Sequence, residues 1–220
     1  MAEKVDYRLL NKDLYQPSRE PGIVDVPEMV FLMVNGQGNP NQEGGEYQRA
    51  VELLYALTYT IKMSAKGGAA LPGYFEYAIP PLEGLWWLAD DKDMDFFSSK
   101  DRYQWISMIR QPEFVTEDIL QWAKGEVRRK KPELNADLAR LQSFSEGLCV
   151  QAMHLGPYDN EPETLARMDE FIQANSLQID IGTPLPNGMI RRHHEIYLGD
   201  PRKSKPENRK TVLRHPVKRR

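Results

Sequence analysis

Apolar and polar residues alternate through His193–Leu198, so a strand there sends His193, Glu195 and Tyr197 to one face and His194, Ile196 and Leu198 to the other. Gly199-Asp200-Pro201 predicts a turn, a charged loop follows, and Thr211–Val217 predicts a second strand returning beside the first. Earlier in the chain, Met29–Val34 is an apolar run of strand length, closed by the turn-forming Asn35-Gly36-Gln37-Gly38-Asn39-Pro40. A helical period takes over from Glu46 to Met63, with Gly67-Gly68 as its stop. Strands are predicted near Gly73–Pro80, Leu85–Ala89 and Tyr103–Arg110, with a charged linker over Asp90–Arg102. Thr116 is a good N-cap for a helix to about Lys130, with Glu117 and Asp118 in its first turn.

The pattern occurs twice. With Gly38 laid on Gly156, Tyr47, Ala50, Leu53 and Leu54 fall on Leu165, Met168, Phe171 and Ile172, the spacing of one helix face. After a one-residue gap, Phe75-Glu76-Tyr77-Ala78-Ile79 falls on His194-Glu195-Ile196-Tyr197-Leu198. Each half then reads strand, glycine turn, amphipathic helix, strand with a central Glu, strand. The expected fold is α+β. Two pseudo-symmetric βαββ units form a curved antiparallel sheet with helices on one side. An extended N-terminal arm (1–27) precedes a ligand-binding region (28–217), made of a first half (28–110), a connecting helix (116–131) and a second half (148–217).

LGPYDNEPETLARMDEF (155–171), HHEIYLGDPRK (193–203) and TVLRHPV (211–217) resemble the GyrI-like small-molecule-binding family. YFEYAIPPLEGLWWLAD (74–90) and WISMIRQPEFV (105–115) are similar to its stand-alone branch. The resemblance implies the same fold, with a ligand in a cleft between the halves, where Glu76 and Glu195 take related positions on the two walls. Some stand-alone members are cyclopropanoid cyclopropyl hydrolases, which open the strained ring of DNA-alkylating natural products, and the resemblance implies that activity here. In such a site Glu195 takes a proton from water and Tyr197 donates to the substrate carbonyl oxygen. Two rival readings follow from the same family: sequestration of lipophilic cationic or aromatic compounds on the acid, and a gyrase-inhibitor-like role resting on a protein partner.

The aromatic residues fit a flat ligand. Tyr74, Tyr77, Trp86, Trp87, Trp105, Tyr158 and Tyr197 fall in predicted strands or turns, offering stacking area with a polar tip. Trp86 and Trp87 must point in opposite directions, one to the core and one to the cleft. Glu76, Met153 and His193 complete the ligand-binding set.

Composition narrows the choices. A formal net charge of −3 gives no general attraction to phosphate backbones, and the arm is too short for a helix-turn-helix module, so no direct DNA binding is expected. Arg128–Lys131 closes a helix, where cations complement the dipole. No apolar run is long enough for a membrane span, and a charged N-terminus is no signal peptide. One cysteine, Cys149 in an apolar strand, makes no internal disulfide and suits a cytoplasmic protein with a buried, inert thiol. His193 and His194 point apart and cannot share a metal. With no HExxH, CxxC, phosphate-binding glycine loop or GxSxG elbow, neither metal nor cofactor is expected.

Overall fold

The computed structural model describes residues 4–67, 70–88, 99–199 and 204–220. In chain order the elements are α1 (Tyr7–Leu10), α2 (Lys12–Tyr15), β1 (Gly22–Gln37), α3 (Glu46–Lys62), β2 (Leu82–Leu88), β3 (Tyr103–Arg110), α4 (Glu117–Lys130), β4 (Ala139–Leu155), α5 (Glu161–Ala174), β5 (Leu177–Ile179), β6 (His193–Tyr197) and β7 (Lys210–Arg219). Helices and antiparallel strands are thus mixed. The chain forms two compact units, one from Met1–Tyr7, Met29–Pro80 and Leu88–Ser143, the other from Arg8–Glu28, Pro81–Trp87 and Phe144–Arg220. Gly68, Ala89, the greater part of the 90–102 linker and the Asp200-Pro201 turn lie outside the described residues.

In the first unit β1 pairs antiparallel with β3, and Gly36 sits opposite Trp105. A Cβ on Gly36 would lie 2.2 Å from the Trp105 ring, so the indole needs a glycine beneath it. The α3 face Ala50, Leu53, Leu54, Leu57, Thr58 and Ile61 is buried at helical spacing. Each fully buried leucine on such a face contributes roughly 1.5–3 kcal/mol. α4 packs on α3, and the Thr116 hydroxyl accepts a hydrogen bond from the Ile119 amide at its N-terminus.

The strand expected over Gly73–Pro80 does not form. Pro72, Pro80 and Pro81 bracket the segment, and Gly73 takes a φ of +73°. Only a parallel bridge joins Tyr77 to Val5, while Tyr74, Phe75 and Tyr77 pack around Phe114. Side-chain packing holds this segment in place of a ladder.

In the second unit β7 lies between β6 and β4, and β2 pairs with the other edge of β6, all antiparallel. β5 pairs with the far end of β7. Val150, Ala152, Leu213 and Val217 of the sheet pack against Met168 and Ile172 of α5. Residues 132–147, which lie between the expected connecting helix and the expected second half, contain the first half of the long strand β4 (Ala139–Leu155). Arg140, Gln142 and Ser143 interrupt the apolar Ala139, Leu141 and Phe144, which weakens the apolar signal.

The N-terminal residues also differ from an extended arm. They form α1 and α2, with β1 starting at Gly22, and Leu14 and Tyr15 are buried in the second unit. Gly38 and Gly156 both have positive φ and precede α3 and α5. Strand–helix–strand–strand order therefore recurs as β1-α3-β2-β3 and β4-α5-β6-β7, with β5 inserted. Phe75–Ile79, however, is not the strand that matches β6 in this order. β2 takes that place, and its acid is Glu83.

Candidate functional site

Strand alternation in β6 directs neighbouring histidines into different chemistry. On one face, Glu195 accepts a hydrogen bond from the Tyr197 hydroxyl at 2.8 Å, and its other oxygen lies 3.1 Å from His193 Nε2. His193 Nδ1 lies 2.9 Å from His215 Nε2 on β7. The Trp86 indole N–H on β2 donates to the Tyr197 oxygen at 3.0 Å. A continuous polar row thus runs Trp86–Tyr197–Glu195–His193–His215, with the carboxylate at its centre. Glu195 is buried, and among the described residues no Lys or Arg pairs with it. Burial, with His193 adding to it, pushes the His215 imidazole down to about 3, so this ring is neutral.

Gly84 makes the row geometrically feasible. It pairs with Glu195 across the β2–β6 ladder, and a Cβ there would fall 2.6 Å from Trp86 Nε1 and 3.3 Å from the Tyr197 oxygen. The glycine lets the indole lie against the backbone and reach Tyr197.

Tyr158 approaches the Tyr197 ring edge-on, at 5.9 Å between centroids, and carries the Arg209 guanidinium over its own ring at 4.9 Å. Its position follows from the corner before α5. Gly156 turns with a φ of +130°, and His154 bridges the Pro157 carbonyl and the Thr164 hydroxyl, each at 3.0 Å. Burial raises the Tyr158 phenol to about 12, with Arg209 opposing and Glu195 adding, so it stays a hydrogen-bond donor. Tyr158 and Tyr197, with Gly199, Ser204, Asn208 and Arg209, line a recess of about 150 Å³.

The other face of β6 is closed. His194 Nδ1 meets Glu146 at 2.8 Å and its Nε2 meets Glu83 at 2.9 Å. Burial alone lowers the His194 pKa, but the two carboxylates outweigh it and raise it to about 9. Arg214 adds a second cation, 3.0 Å from Glu146, and donates to Gln151 and to the Leu14 carbonyl. Against burial, which would raise it, His194 and Arg214 hold the Glu146 carboxyl down at about 2. Tyr15 donates to Glu83 at 3.2 Å. Two anions and two cations are matched here without exposure to water. Beside them, burial foremost pushes the Cys149 thiol up, so it stays protonated.

Of the residues expected at a ligand site, Glu195, Tyr197, His193, Trp86 and Tyr158 come together in the second unit. Trp87 points the opposite way from Trp86, with the Arg192 guanidinium 4.5 Å over its ring. Met153 pairs with Val212 in the β4–β7 ladder, which turns it to the His194 face. Glu76 and Tyr74 belong to the first unit, where Glu76 binds Lys62 at 2.7 Å and accepts from Tyr74 at 2.9 Å. Trp105, in the same unit, is wholly buried edge-on to Tyr47 at 5.2 Å. The single Tyr197 proton points at Glu195, not outward to a ligand.

Gly84, His215, Glu83, Glu146 and Arg214 were not singled out from the sequence. His215 could have been: the strand after the turn returns beside His193, and cross-strand pairing then brings the two rings together. No local pattern marks Glu146 or Arg214, because their partners lie far along the chain. Among the described residues no group of three or more His, Cys, Asp or Glu is placed to hold a metal ion, and no helix is long and apolar enough to cross a membrane.

Residues 19–218 match the GyrI-like small molecule binding domain. A comparison with curated proteins finds no match. Among solved structures, the chain is similar to a hydrolase from Listeria innocua, at 46% identity and a TM-score of 0.85, covering 98% of this chain and 100% of that one. An uncharacterized conserved protein from Listeria innocua gives 47% identity and a TM-score of 0.88 over the same shares. The EcmrR C-terminal domain, at 12% identity, a TM-score of 0.51 and 91% and 98% coverage, shares the fold alone. The chain belongs to the GyrI-like small-molecule-binding family.

Proposed function

We propose that this protein is a detoxifying hydrolase that binds a flat, partly aromatic compound at the Glu195 face of β6 and adds water to its strained cyclopropane. The observation that carries the reading is Glu195 itself: a buried carboxylate, oriented on both oxygens by Tyr197 and His193, beside the aromatic rings of Trp86 and Tyr158. The Listeria innocua structure described as a hydrolase, similar over nearly the whole chain, supports an enzymatic role. The recurring strand–helix–strand–strand order also supports reading the chain as two related sequence halves, with Gly38 and Gly156 as matching corners.

In this mechanism the water oxygen bonds to the ring carbon while the ring C–C bond breaks. The released electron pair moves through the conjugated system onto the carbonyl oxygen, forming a phenolate. Glu195 takes the proton that water loses, with the free lone pair of its Tyr197-bound oxygen. The growing oxyanion needs a donor, and Tyr158, which keeps its proton, is suited to that part. Tyr197 orients the base through its own proton. Ring strain already activates the carbon, so positioning does most of the work.

Capture of a lipophilic cation without chemistry is the second reading. It is favoured by the absence of any Lys or Arg paired with Glu195 among the described residues, which leaves the carboxylate able to meet an external cation. One experiment separates the two. The protein is incubated with a cyclopropane-bearing alkylator, and separately with a lipophilic cation and its neutral isostere. A ring-opened hydrate found by mass spectrometry supports the hydrolase. Tryptophan quenching by the cation alone, with no hydrate, selects capture.

A further inference from the structure

We infer that His215 is a positioning residue that fixes where the proton sits on His193, so that His193 donates to Glu195 and keeps its carboxyl group aimed. The inference rests on the reading of Glu195 as the base. It begins with an unmatched atom. His215 is buried and its Nδ1 has no hydrogen-bond partner among the described residues, while its Nε2 faces His193 Nδ1 at 2.9 Å. Only one of two neutral arrangements suits this geometry.

In the first, His215 carries its proton on Nε2 and donates to His193 Nδ1. His193 then carries its own proton on Nε2 and donates to Glu195 across 3.1 Å. Every N–H in the row has an acceptor, and only a lone pair on His215 Nδ1 is left over. In the second, both protons sit on Nδ1. His215 then buries an N–H with nothing to receive it, and a bare His193 nitrogen faces a carboxylate oxygen, lone pair against lone pair. A buried donor without an acceptor and an acceptor–acceptor contact are both unfavourable, so the first arrangement holds.

A protonated His193 fares no better, because His215 Nε2 would have to accept and its proton would move to the unpartnered Nδ1. The ionisable groups around His215 are His193 on β6, with ring centroids 5.0 Å apart, and, through space, Glu146 on β4. Burial keeps His215 neutral and available as a donor. Its function is therefore directional: it passes no proton to substrate but holds the neighbouring ring in one tautomer.

The test uses the full chain labelled with ¹⁵N at its histidine rings. Nitrogen chemical shifts are expected to show His193 protonated at Nε2 and bare at Nδ1. In His215→Phe, which keeps the volume and removes the donor, His193 should become a mixture of tautomers. Hydration kcat should then fall about tenfold at unchanged KM, less than the ~100-fold expected for loss of the base itself. His215→Gln, whose amide N–H can donate to the same nitrogen, should restore both the single tautomer and the rate. A wild-type His193 protonated at Nδ1, or a folded His215→Phe protein with an unchanged tautomer, overturns the inference. If His215→Phe does not fold, the wild-type and His215→Gln spectra decide. If the wild type turns over no cyclopropane, the proposed function fails, while the spectra still decide where the proton sits.

Discussion

His193 and His194 are neighbours, both buried in one strand, and their fates are opposite. His194 lies between two carboxylates, with Arg214 completing a balanced set, and every charge there is matched inside the protein. Among the described residues, His193 meets the Glu195 carboxylate and the neutral His215 imidazole, and no Lys or Arg pairs with that carboxylate. A buried charge matched within the protein serves the fold, whereas one left for an external partner can serve a ligand. What separates the two faces of β6 is the composition of what surrounds each, not depth.

Removing one member of the matched set is the most severe way to break this contrast. Glu146→Gln leaves His194 and Arg214 short of an anion, and loss of a buried partner costs about 3–5 kcal/mol. Chemical denaturation should show that loss, while any folded fraction keeps its ligand affinity. Glu195→Gln should do the reverse, keeping stability and ligand binding while turnover falls by ~100-fold or more. A folded Glu195→Gln protein with full turnover and full affinity for cations would return Glu195 to an ordinary strand residue.

Gly84→Ala sharpens the contrast at its edge. The new methyl must displace the Trp86 indole, breaking its bond to Tyr197, and overpacking of this kind costs about 1–3 kcal/mol. A shifted tryptophan emission spectrum and weaker ligand quenching should accompany it. Tyr197→Phe removes a single donor to Glu195 and should lower turnover less, by about threefold to tenfold, since water can replace part of that hydrogen bond.

The mildest test is stability against pH. His194 has a raised folded pKa of about 9, so its contribution is complete below its unfolded value of 6.5 and is lost as pH climbs to about 9. His215 has a folded pKa lowered to about 3. The unfolded chain binds that proton first, and stability falls as pH drops from 6.5. Glu146 adds a further decline from 4.5 to about 2. Melting temperature should therefore peak near neutrality, and His215→Phe should delay the acid decline to the range of the carboxylates.

The legible part of the fold was the part with local periodicity. α3, β3 and α4 carry clean amphipathic or apolar patterns bounded by caps and turns, and they lie where the pattern places them. Phe75–Ile79 misled because aromatic β-formers look like a strand even when flanking prolines prevent a ladder. β4 was half hidden because polar side chains in its first half, such as Glu146, are satisfied by partners far along the chain. The alternation in HHEIY revealed the Glu195–Tyr197–His193 row, but the second row on His194 was invisible. Its partners sit in other segments, at Tyr15, Glu83, Glu146 and Arg214, and a histidine between His193 and Glu195 carries no local sign of them. Gly84 was passed over for a related reason: the sequence shows a glycine before two tryptophans, and only the cross-strand register shows which indole needs the space.

The hydrogen bond from Arg214 to the Leu14 carbonyl spans 200 residues of sequence. Such a contact gives no help to a chain that is still searching, because loop closure must precede it. Helix α3 can begin from its own neighbours, whereas the second unit needs residues 8–28, 81–87, 144–155, 193–197 and 210–219 in place together before its buried charges are matched. Its assembly is therefore expected to follow that of α3, and until it is complete the chain presents unpaired strands open to chaperones or to aggregation.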